Sequence, residues 1–349
     1  MKISFFIGSL RRGGAERVIS ILANDYCARG WDVDIVLLLQ NEVDYPLDTK
    51  INIVDITGNG GSYFKNAFHW LGGIRRYLKE RKPDRVVSFV GRINALVLTA
   101  ATGLKLNIVV SERNDPKHDG RGALMGRYCN LIYRRANAIV YQNEHEKSCF
   151  DAALAPKGHI IPNPVQVNAT RSDKAEADIV TAGRLTEQKN QAMLLRAMAR
   201  IHEKYPDVTC KIYGEGDLRN ALQAQICKLG LEKTVSLEGN VLDIHQRLAK
   251  SKLFVLTSNF EGLSNALIEA MMVGLPCITT DYPGARELIS HGQSGIVVPM
   301  DDDAELAMQI EKLLLDKAYA AQLSCLGQQD SQKFKAEIVL AQWHAVIEG

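Results

Sequence analysis

Short apolar runs of β type, separated by stretches with helical periodicity, recur along the whole chain, and that alternation admits few folds. In the first half the runs are Ile3–Ile7, Val33–Leu39, Ile51–Ile56, Arg85–Phe89, Asn107–Ser111, Ala138–Gln142 and Gly158–Ile161. In the second half they are Asp178–Ala182, Val208–Tyr213, Thr234–Leu237, Leu253–Thr257, Cys277–Thr280 and Gly295–Val298. Runs of this kind fit strands buried on both faces, and helices between them supply the crossovers of a parallel sheet. The fold class expected is α/β, with two Rossmann-like, doubly wound domains. Asn163-Pro164 interrupts the pattern and residues 166–176 are polar without periodicity, which places the linker there. Domains are therefore expected at 1–165 and 166–330, with helix from Asp303 onward. Binding loops in such domains emerge at strand C-termini, so two in tandem are expected to face a shared cleft.

Bulk properties narrow the partners. The 349 residues suffice for two domains, and 46% hydrophobic with 23% charged residues is a soluble globular composition. No apolar run approaches the ~20 residues that span a bilayer. The apolar start runs at once into Arg11-Arg12-Gly13-Gly14, so it reads as a buried first strand; a signal peptide needs a longer core. Seven cysteines without a C-x-x-C pair read as reduced thiols in a cytoplasmic protein. Residues 1–165 carry a net charge of +7 and residues 166–349 a net charge of −5, which together give the +2 of the chain. The basic half is thus expected to meet something anionic: nucleic acid, a membrane surface or a phosphorylated lipid. Nucleic acid fits less well, since no helix-turn-helix, zinc or RNA-binding signature accompanies the positive patches.

The loops at the strand ends carry the chemistry. Phe260-Glu261-Gly262-Leu263-Ser264-Asn265-Ala266-Leu267-Ile268-Glu269 follows a strand and opens a short helix that Gly274 and Pro276 end. Backbone N–H groups from Gly262 to Ala266 then surround a helix N-terminus, a seat for phosphate, with Asn265 as the expected N-cap. Glu261 and Glu269 bracket that turn, and a carboxylate only accepts, which suits the vicinal hydroxyls of a sugar. After the first strand, Gly13-Gly14 precede a helix and permit close backbone approach, or simply punctuate the turn; the pattern is neither G-x-G-x-x-G nor a Walker loop. Gly183-Arg184-Leu185-Thr186-Glu187-Gln188-Lys189-Asn190 places two cations across a loop entering a helix, where they can grip a diphosphate or remain solvated surface charges. Tyr213-Gly214-Glu215-Gly216 ends another strand in what reads as a flexible turn, and Gly239-Asn240 offers a backbone wall for a nucleobase.

In this order, Gly13-Gly14-Ala15-Glu16, Gly183-Arg184-Leu185 with Lys189-Asn190, Gly214-Glu215-Gly216, Glu238-Gly239 and Glu261-Gly262 with Glu269 resemble the retaining family-4 glycosyltransferases of the GT-B fold. Gly274-Leu275-Pro276, Pro283-Gly284-Ala285-Arg286-Glu287-Leu288 and His291-Gly292-Gln293-Ser294-Gly295 extend the resemblance over nearly the whole chain. It implies an acceptor-binding first domain, a donor-binding second domain and a terminal helix, 331–349, that crosses back. It implies that Arg184 and Lys189 hold the donor diphosphate. Glu269 would hold the ribose, and Glu261 with Gly262, Leu263, Ser264 and Asn265 the transferred sugar and distal phosphate. Gly13, Gly14, Gly183, Gly214, Glu215, Gly239 and Asn240 would complete the nucleotide-sugar contacts. The donor it implies is a UDP-sugar, carrying a hexose or N-acetylhexosamine, and no other cofactor. Asp301-Asp302-Asp303 precedes a helix as an acidic turn, so no metal is expected on the diphosphate; two cations and a helix N-terminus take its charge instead.

One departure concerns the acceptor. Many relatives carry a histidine after the strand that here runs into Ser111-Glu112-Arg113-Asn114-Asp115, and this chain has Arg113. Either Arg113 replaces it, or His118 swings in beside Glu112, or the acceptor is handled differently; a surface loop cation is the plain alternative. Residues 63–85 combine aromatics and leucines with a dense basic face, which fits a helix on an anionic membrane and equally one packed on the first sheet. The function expected is a peripheral cytoplasmic enzyme extending a lipid-linked or polysaccharide-precursor acceptor. The alternatives are a UDP-N-acetylglucosamine 2-epimerase, whose cleft would be His- and acid-rich, and a non-catalytic nucleotide-sugar-binding partner in an assembly complex.

Overall fold

The computed structural model describes all residues except Arg12, 59–62, His118 and Asp173, and for 63–65 it describes the backbone alone. The chain divides into two compact units, Met1–Pro164 with Ala336–Gly349, and Val165–Lys335.

In the first unit the chain runs β1 (Lys2–Ile7), α1 (Gly14–Ala28), β2 (Asp32–Leu37), β3 (Asn52–Asp55), α2 (Tyr63–Arg81), β4 (Arg85–Phe89), α3 (Gly91–Ala100), β5 (Ile108–Ser111), α4 (Gly122–Ile132), β6 (Ala138–Tyr141), α5 (Glu144–Ser148) and β7 (Gly158–Ile160). The strands form one sheet in the order β3-β2-β1-β4-β5-β6-β7, every pair parallel. Ile3, Phe5, Phe6 and Ile7 are all buried because helices cover both faces. Val18, Leu22 and Tyr26 of α1 pack on one face. Trp70, Ile74 and Leu78 of α2 pack on the other with α3 and α4. The apolar side of the 63–85 helix therefore belongs to the core. Two of its cations turn inward as well: Arg75 donates to the carbonyls of Ala100 (2.7 Å) and Thr102 (2.8 Å). Arg81 donates through Nε to the buried Asp34 at 2.5 Å.

The second unit runs β8 (Ala177–Ala182), α6 (Gln191–Lys204), β9 (Cys210–Tyr213), α7 (Arg219–Lys228), β10 (Val235–Gly239), α8 (Ile244–Ala249), β11 (Ser251–Leu256), α9 (Asn265–Val273), β12 (Cys277–Thr280), α10 (Ala285–Leu288), β13 (Ile296–Val298), α11 (Asp303–Leu315) and α12 (Lys317–Ser331). Its parallel sheet has the order β10-β9-β8-β11-β12-β13. Helices α6, α7 and α11 fill one face, and α8 and α9 the other. Asp302 caps α11 by accepting the Glu305 N–H at 2.9 Å, and Asp303 pairs with Arg196 and Arg200, so the acidic turn serves the helix.

The last helix, α13 (Ala336–Glu348), lies in the first unit. Trp343 is fully buried and stacks on Phe89 with centroids 5.6 Å apart. Arg85 donates to the Ile347 carbonyl at 2.6 Å, and Arg29 pairs with Glu348. Residues 331–335, placed with the terminal helix in the sequence reading, stay with the second unit. Phe334 is buried in its core and its carbonyl accepts the Val165 N–H at 2.9 Å.

Candidate active site

Strand order reverses between β8 and β11 in the second sheet, and between β1 and β4 in the first. Such a switch point parts the loops above the sheet and opens a crevice there. The Gly183–Asn190 loop leaves β8 and the Phe260–Ser264 loop leaves β11, so two of the sequence-selected loops share the second switch point.

These two loops are stitched together. The Asn259 N–H donates to the Gln188 carbonyl at 2.8 Å, and the Thr257 hydroxyl to the Lys189 carbonyl at 3.0 Å. Gln188 Nε2 donates to the Phe260 carbonyl at 3.0 Å. Asn190 takes a left-handed backbone (φ 45°) and donates its amide to Asn259 and Asp301. The result brings Lys189 Nζ onto Glu261 Oε1, which also accepts the Ser258 hydroxyl at 2.7 Å. Glu261 is buried, so this pair is largely out of water. Arg184 is exposed and donates to Gln188 Oε1 at 3.3 Å. One loop thus holds a desolvated ammonium beside a solvent-facing guanidinium.

Helix α9 begins differently from the expectation. Ser264, in extended backbone, is the N-cap, because its carbonyl accepts the first helical bond, from Ile268 at 3.1 Å; Asn265 is the first helical residue. The Ser264 Oγ is buried at this N-terminus with no hydrogen-bond partner among the described residues. Gly262 and Leu263 precede it on the loop. Glu269, one turn in, is buried. His245 of α8, which the sequence reading did not select, lies 3.7 Å from the Glu269 carboxylate. No motif flags it; only the packing of α8 against α9 brings it there.

The remaining glycine loops are close-packed. Gly214 donates its N–H to the Gly239 carbonyl at 2.8 Å. A Cβ on Gly214 would stand 2.0 Å from the Gly183 carbonyl oxygen, and one on Gly216 2.4 Å from that of Leu185. The turn read as flexible is therefore wedged against the Arg184 loop. Glu215 pairs with Arg219 at 2.7 Å, and Arg219 donates to the Leu237 carbonyl at 3.1 Å, bracing the strand that ends at Gly239. Asn240 beyond it is exposed.

In the first unit Gly13 caps α1, and the Tyr45 hydroxyl accepts its N–H (3.1 Å) and donates to its carbonyl (2.8 Å). The Glu16 carboxylate folds over this turn: a Cβ on Gly13 would meet its Oε2 at 2.2 Å. An anion drawn to Gly13-Gly14 has to displace Glu16. After β4, Val90 has φ 73°, a strained backbone for a β-branched residue, at the first switch point. Apart from Gly91 beside it, nothing in the sequence marks that position.

Of the residues expected on the acceptor side, Glu112 and Arg113 are buried. Glu112 is fully buried, with Arg121 Nη2 at 2.6 Å and the Tyr133 hydroxyl donating to Oε1. Burial pushes its carboxyl up, against the Arg121 guanidinium. Arg113 is no surface cation. It is 6% exposed, with its guanidinium over the rings of Phe89 (5.4 Å) and Trp343 (5.1 Å). It donates through Nε to Ser111 Oγ at 2.8 Å and through Nη1 to Asn163 Oδ1 at 2.8 Å, while Nη2 has no hydrogen-bond partner among the described residues. Burial pulls the guanidinium below its usual range, opposed by the nearby Glu146 carboxylate. His118 lies outside the described residues. Arg113→Ala is expected to cost about 2–5 kcal/mol through the cavity left against the two stacked rings, and Arg113→Met to recover most of it by filling that space without a desolvated charge. Urea denaturation of both variants measures the difference; equal losses would show that the charge itself holds the helix.

Residues 163–330 match the family model for Glycosyl transferases group 1, and residues 12–169 match that for Glycosyltransferase Family 4. Two Campylobacter jejuni proteins are similar over most of the chain. One is the GalNAc-alpha-(1->4)-GalNAc-alpha-(1->3)-diNAcBac-PP-undecaprenol alpha-1,4-N-acetyl-D-galactosaminyltransferase, 28% identical over 99% of this chain and 98% of its own. The other is the N-acetylgalactosamine-N,N'-diacetylbacillosaminyl-diphospho-undecaprenol 4-alpha-N-acetylgalactosaminyltransferase, 28% identical over 91% and 92%. Among solved structures, Anabaena HepE in complex with UDP and glucose superposes with a TM-score of 0.86 over 100% of both chains, at 23% identity. The two family matches together run from residue 12 to 330, one over each unit, and the chain belongs to the family-4 glycosyltransferases of the two-domain GT-B fold.

Proposed function

We propose that the protein is a retaining glycosyltransferase that moves a hexose or N-acetylhexosamine from a UDP-sugar to a polyprenyl-diphosphate-linked saccharide, without a metal on the donor diphosphate. The observation that carries this is the Arg184/Lys189 loop, joined to the Glu261 loop at the switch point of the second sheet. Arg184 offers a planar fork and Lys189 a point charge, and the first turn of α9 adds N–H groups and the unpartnered Ser264 hydroxyl. Together they can take the charge that grows on a leaving diphosphate. In this reading Glu269, 3.7 Å from His245, accepts from the ribose hydroxyls. In this reading the acceptor hydroxyl attacks on the face the phosphate leaves, and that phosphate takes its proton, so no protein nucleophile is needed. The names of both Campylobacter relatives give an α-linked product on an undecaprenyl-linked acceptor, which supports the acceptor class and suits retention from an α-linked donor.

Calorimetry with UDP and with GDP in EDTA tests the donor site. UDP is expected to bind in chelator and GDP more weakly. If neither binds, the donor assignment falls. UDP binding without turnover, across a panel of UDP-sugars and polyprenyl-diphosphate acceptors, would favour the non-catalytic reading instead.

The membrane surface moves from α2 to α4. No described helix is long and apolar enough to cross a membrane. On α4, however, Leu124 is 83%, Tyr128 38% and Leu131 62% exposed, a ridge at i, i+4, i+7. Exposed Arg127, Arg134 and Arg135 flank it, and Phe68, 85% exposed, lies early in α2. An apolar ridge with flanking arginines suits an anionic leaflet, with the rings and leucines inserted and the guanidinium groups at phosphate level. Co-sedimentation with anionic vesicles at low salt is expected for the wild type and lost in Leu124→Asp/Leu131→Asp. Wild type left in the supernatant would end the membrane reading.

A further inference from the structure

Three side chains in the first unit converge on one another. Asp115 follows β5 on the Glu112-Arg113 loop, His145 lies within α5, and Cys149 ends that helix. One ligand atom from each lies within 4.8 Å of the other two. His145 Nε2 is 3.7 Å from Asp115 Oδ1, whose side chain is 1% exposed. His145 and Cys149 are four apart, so one helix face presents both.

The backbone under them is held. Asn143 caps α5 by accepting the Glu146 N–H at 2.7 Å. The buried Glu146 carboxylate accepts the Gln142 N–H at 2.8 Å and its side-chain amide at 2.7 Å. Phe150, next to Cys149, stacks on Tyr133 at 5.7 Å. On the other side Asp115 Oδ1 accepts the Lys117 N–H at 3.0 Å, fixing the turn that presents the carboxylate.

We propose that Asp115, His145 and Cys149 form a binding site for a divalent transition metal, of the class typified by zinc, which staples the loop after β5 to α5. A thiolate, an imidazole and a carboxylate are a borderline-soft donor set, suited to Zn²⁺ and poorly to Mg²⁺ or Ca²⁺. Three protein donors leave a fourth tetrahedral position for water or a ligand group. Metal–ligand bonds of about 2.0–2.3 Å put donor atoms roughly 3.5 Å apart, so from separations within 4.8 Å the cluster closes by no more than about 1.3 Å, within reach of side-chain rotation.

Before metal arrives, the Cys149 thiol donates to the His145 carbonyl at 3.3 Å. Metal binding then breaks the S–H bond, forms the sulfur–metal bond and releases that proton to solvent. Two anionic donors and one divalent ion leave the site neutral. The site does not depend on the donor assignment, and lies in the other unit.

The test uses the full chain, stripped with EDTA, held reduced by a phosphine and titrated with Co²⁺. One equivalent is expected to bind, with a thiolate-to-cobalt charge-transfer band and visible bands of tetrahedral intensity, all bleached by Zn²⁺. Cys149→Ser should abolish the charge-transfer band, and Asp115→Asn should weaken binding at least tenfold. Cys227→Ser/Cys325→Ser, which removes the two exposed thiols, should change nothing. If Cys149→Ser misfolds by circular dichroism, His145→Gln takes its place, and its visible bands should weaken and shift. Zn²⁺ should also raise the melting temperature of the wild type and of neither ligand variant. No charge-transfer band in the wild type, or one that survives Cys149→Ser, overturns the proposal.

Discussion

Arg184→Ala is expected to lower turnover about 100-fold or more while leaving the melting temperature where it is, the size of loss that follows when one donor to a developing oxyanion is removed. The two halves of that expectation come from the same observation. Arg184 is exposed, and its recorded side-chain hydrogen bond is a long one, 3.3 Å to Gln188, so its removal unbuilds nothing in the fold. Lys189 is the harder case. Its ammonium is paired with Glu261, whose side chain is only 9% exposed, and Lys189→Ala strands that carboxylate in the interior. A buried charge left without its partner costs about 3–5 kcal/mol, so Lys189→Ala loses stability and activity together. Lys189→Met/Glu261→Gln separates the two effects: it removes both charges and keeps both shapes. Stability should return, and turnover should not. In Arg184→Ala/Lys189→Ala the combined loss should reach roughly 1,000-fold or more, less than the product of two independent losses, because both cations act on one diphosphate. Calorimetric UDP titration and initial rates on each variant decide it. Full turnover in Arg184→Ala would remove this loop from the chemistry.

Much of this architecture was legible in the sequence because a parallel sheet covered on both faces leaves its strands apolar throughout. Arg85–Phe89 and Cys277–Thr280 match their strands to the residue, and the others drift by a residue or two at their ends, where the ladder gives out. The loops proposed to hold the donor were legible as loops for a related reason. Glycine at a strand end is visible in sequence, and Gly183, Gly214, Gly239 and Gly262 all stand where strands deliver the chain to the upper edge of one sheet. What stayed hidden were pairings made across long separations. Arg113 looked like a loop cation because nothing near it in sequence reveals Trp343, which arrives in the last helix to stack against it. Glu112 looked available until Arg121 and Tyr133 closed on it. The basic face of residues 63–85 fitted a membrane and a sheet-packed helix equally, and Arg75 and Arg81 turn out to be consumed by carbonyls and by Asp34, which the sequence places on a different element. The ridge on α4 was not read from the sequence, because whether a leucine ridge faces the sheet or the solvent is settled only by what packs beside it.

Gly214→Ala is expected to be the most damaging single-methyl change in the second unit, with a loss of about 2–6 kcal/mol from strain and overpacking together. The added Cβ would stand 2.0 Å from the Gly183 carbonyl oxygen and 2.8 Å from its carbon, with φ at +133° besides. Neither contact is with a side chain that could swing away. The obstacle is the backbone that carries Arg184, so relief of the clash moves the cation as well. A graded series tests this account. Gly230→Ala has φ +69° and open space within 4 Å, so it isolates the backbone term and should cost about 1 kcal/mol. Gly239→Ala combines φ +75° with a contact of 2.9 Å to the Glu215 carboxylate, a mobile group, and should lie only slightly above Gly230→Ala. If the clash with Gly183 is the cause, urea midpoints should fall in the order Gly230, Gly239, Gly214, and UDP affinity should drop sharply only for the last. Equal midpoints for all three would mean that the Gly183 loop yields freely, and with it would go the rigidity that the donor site is taken to need.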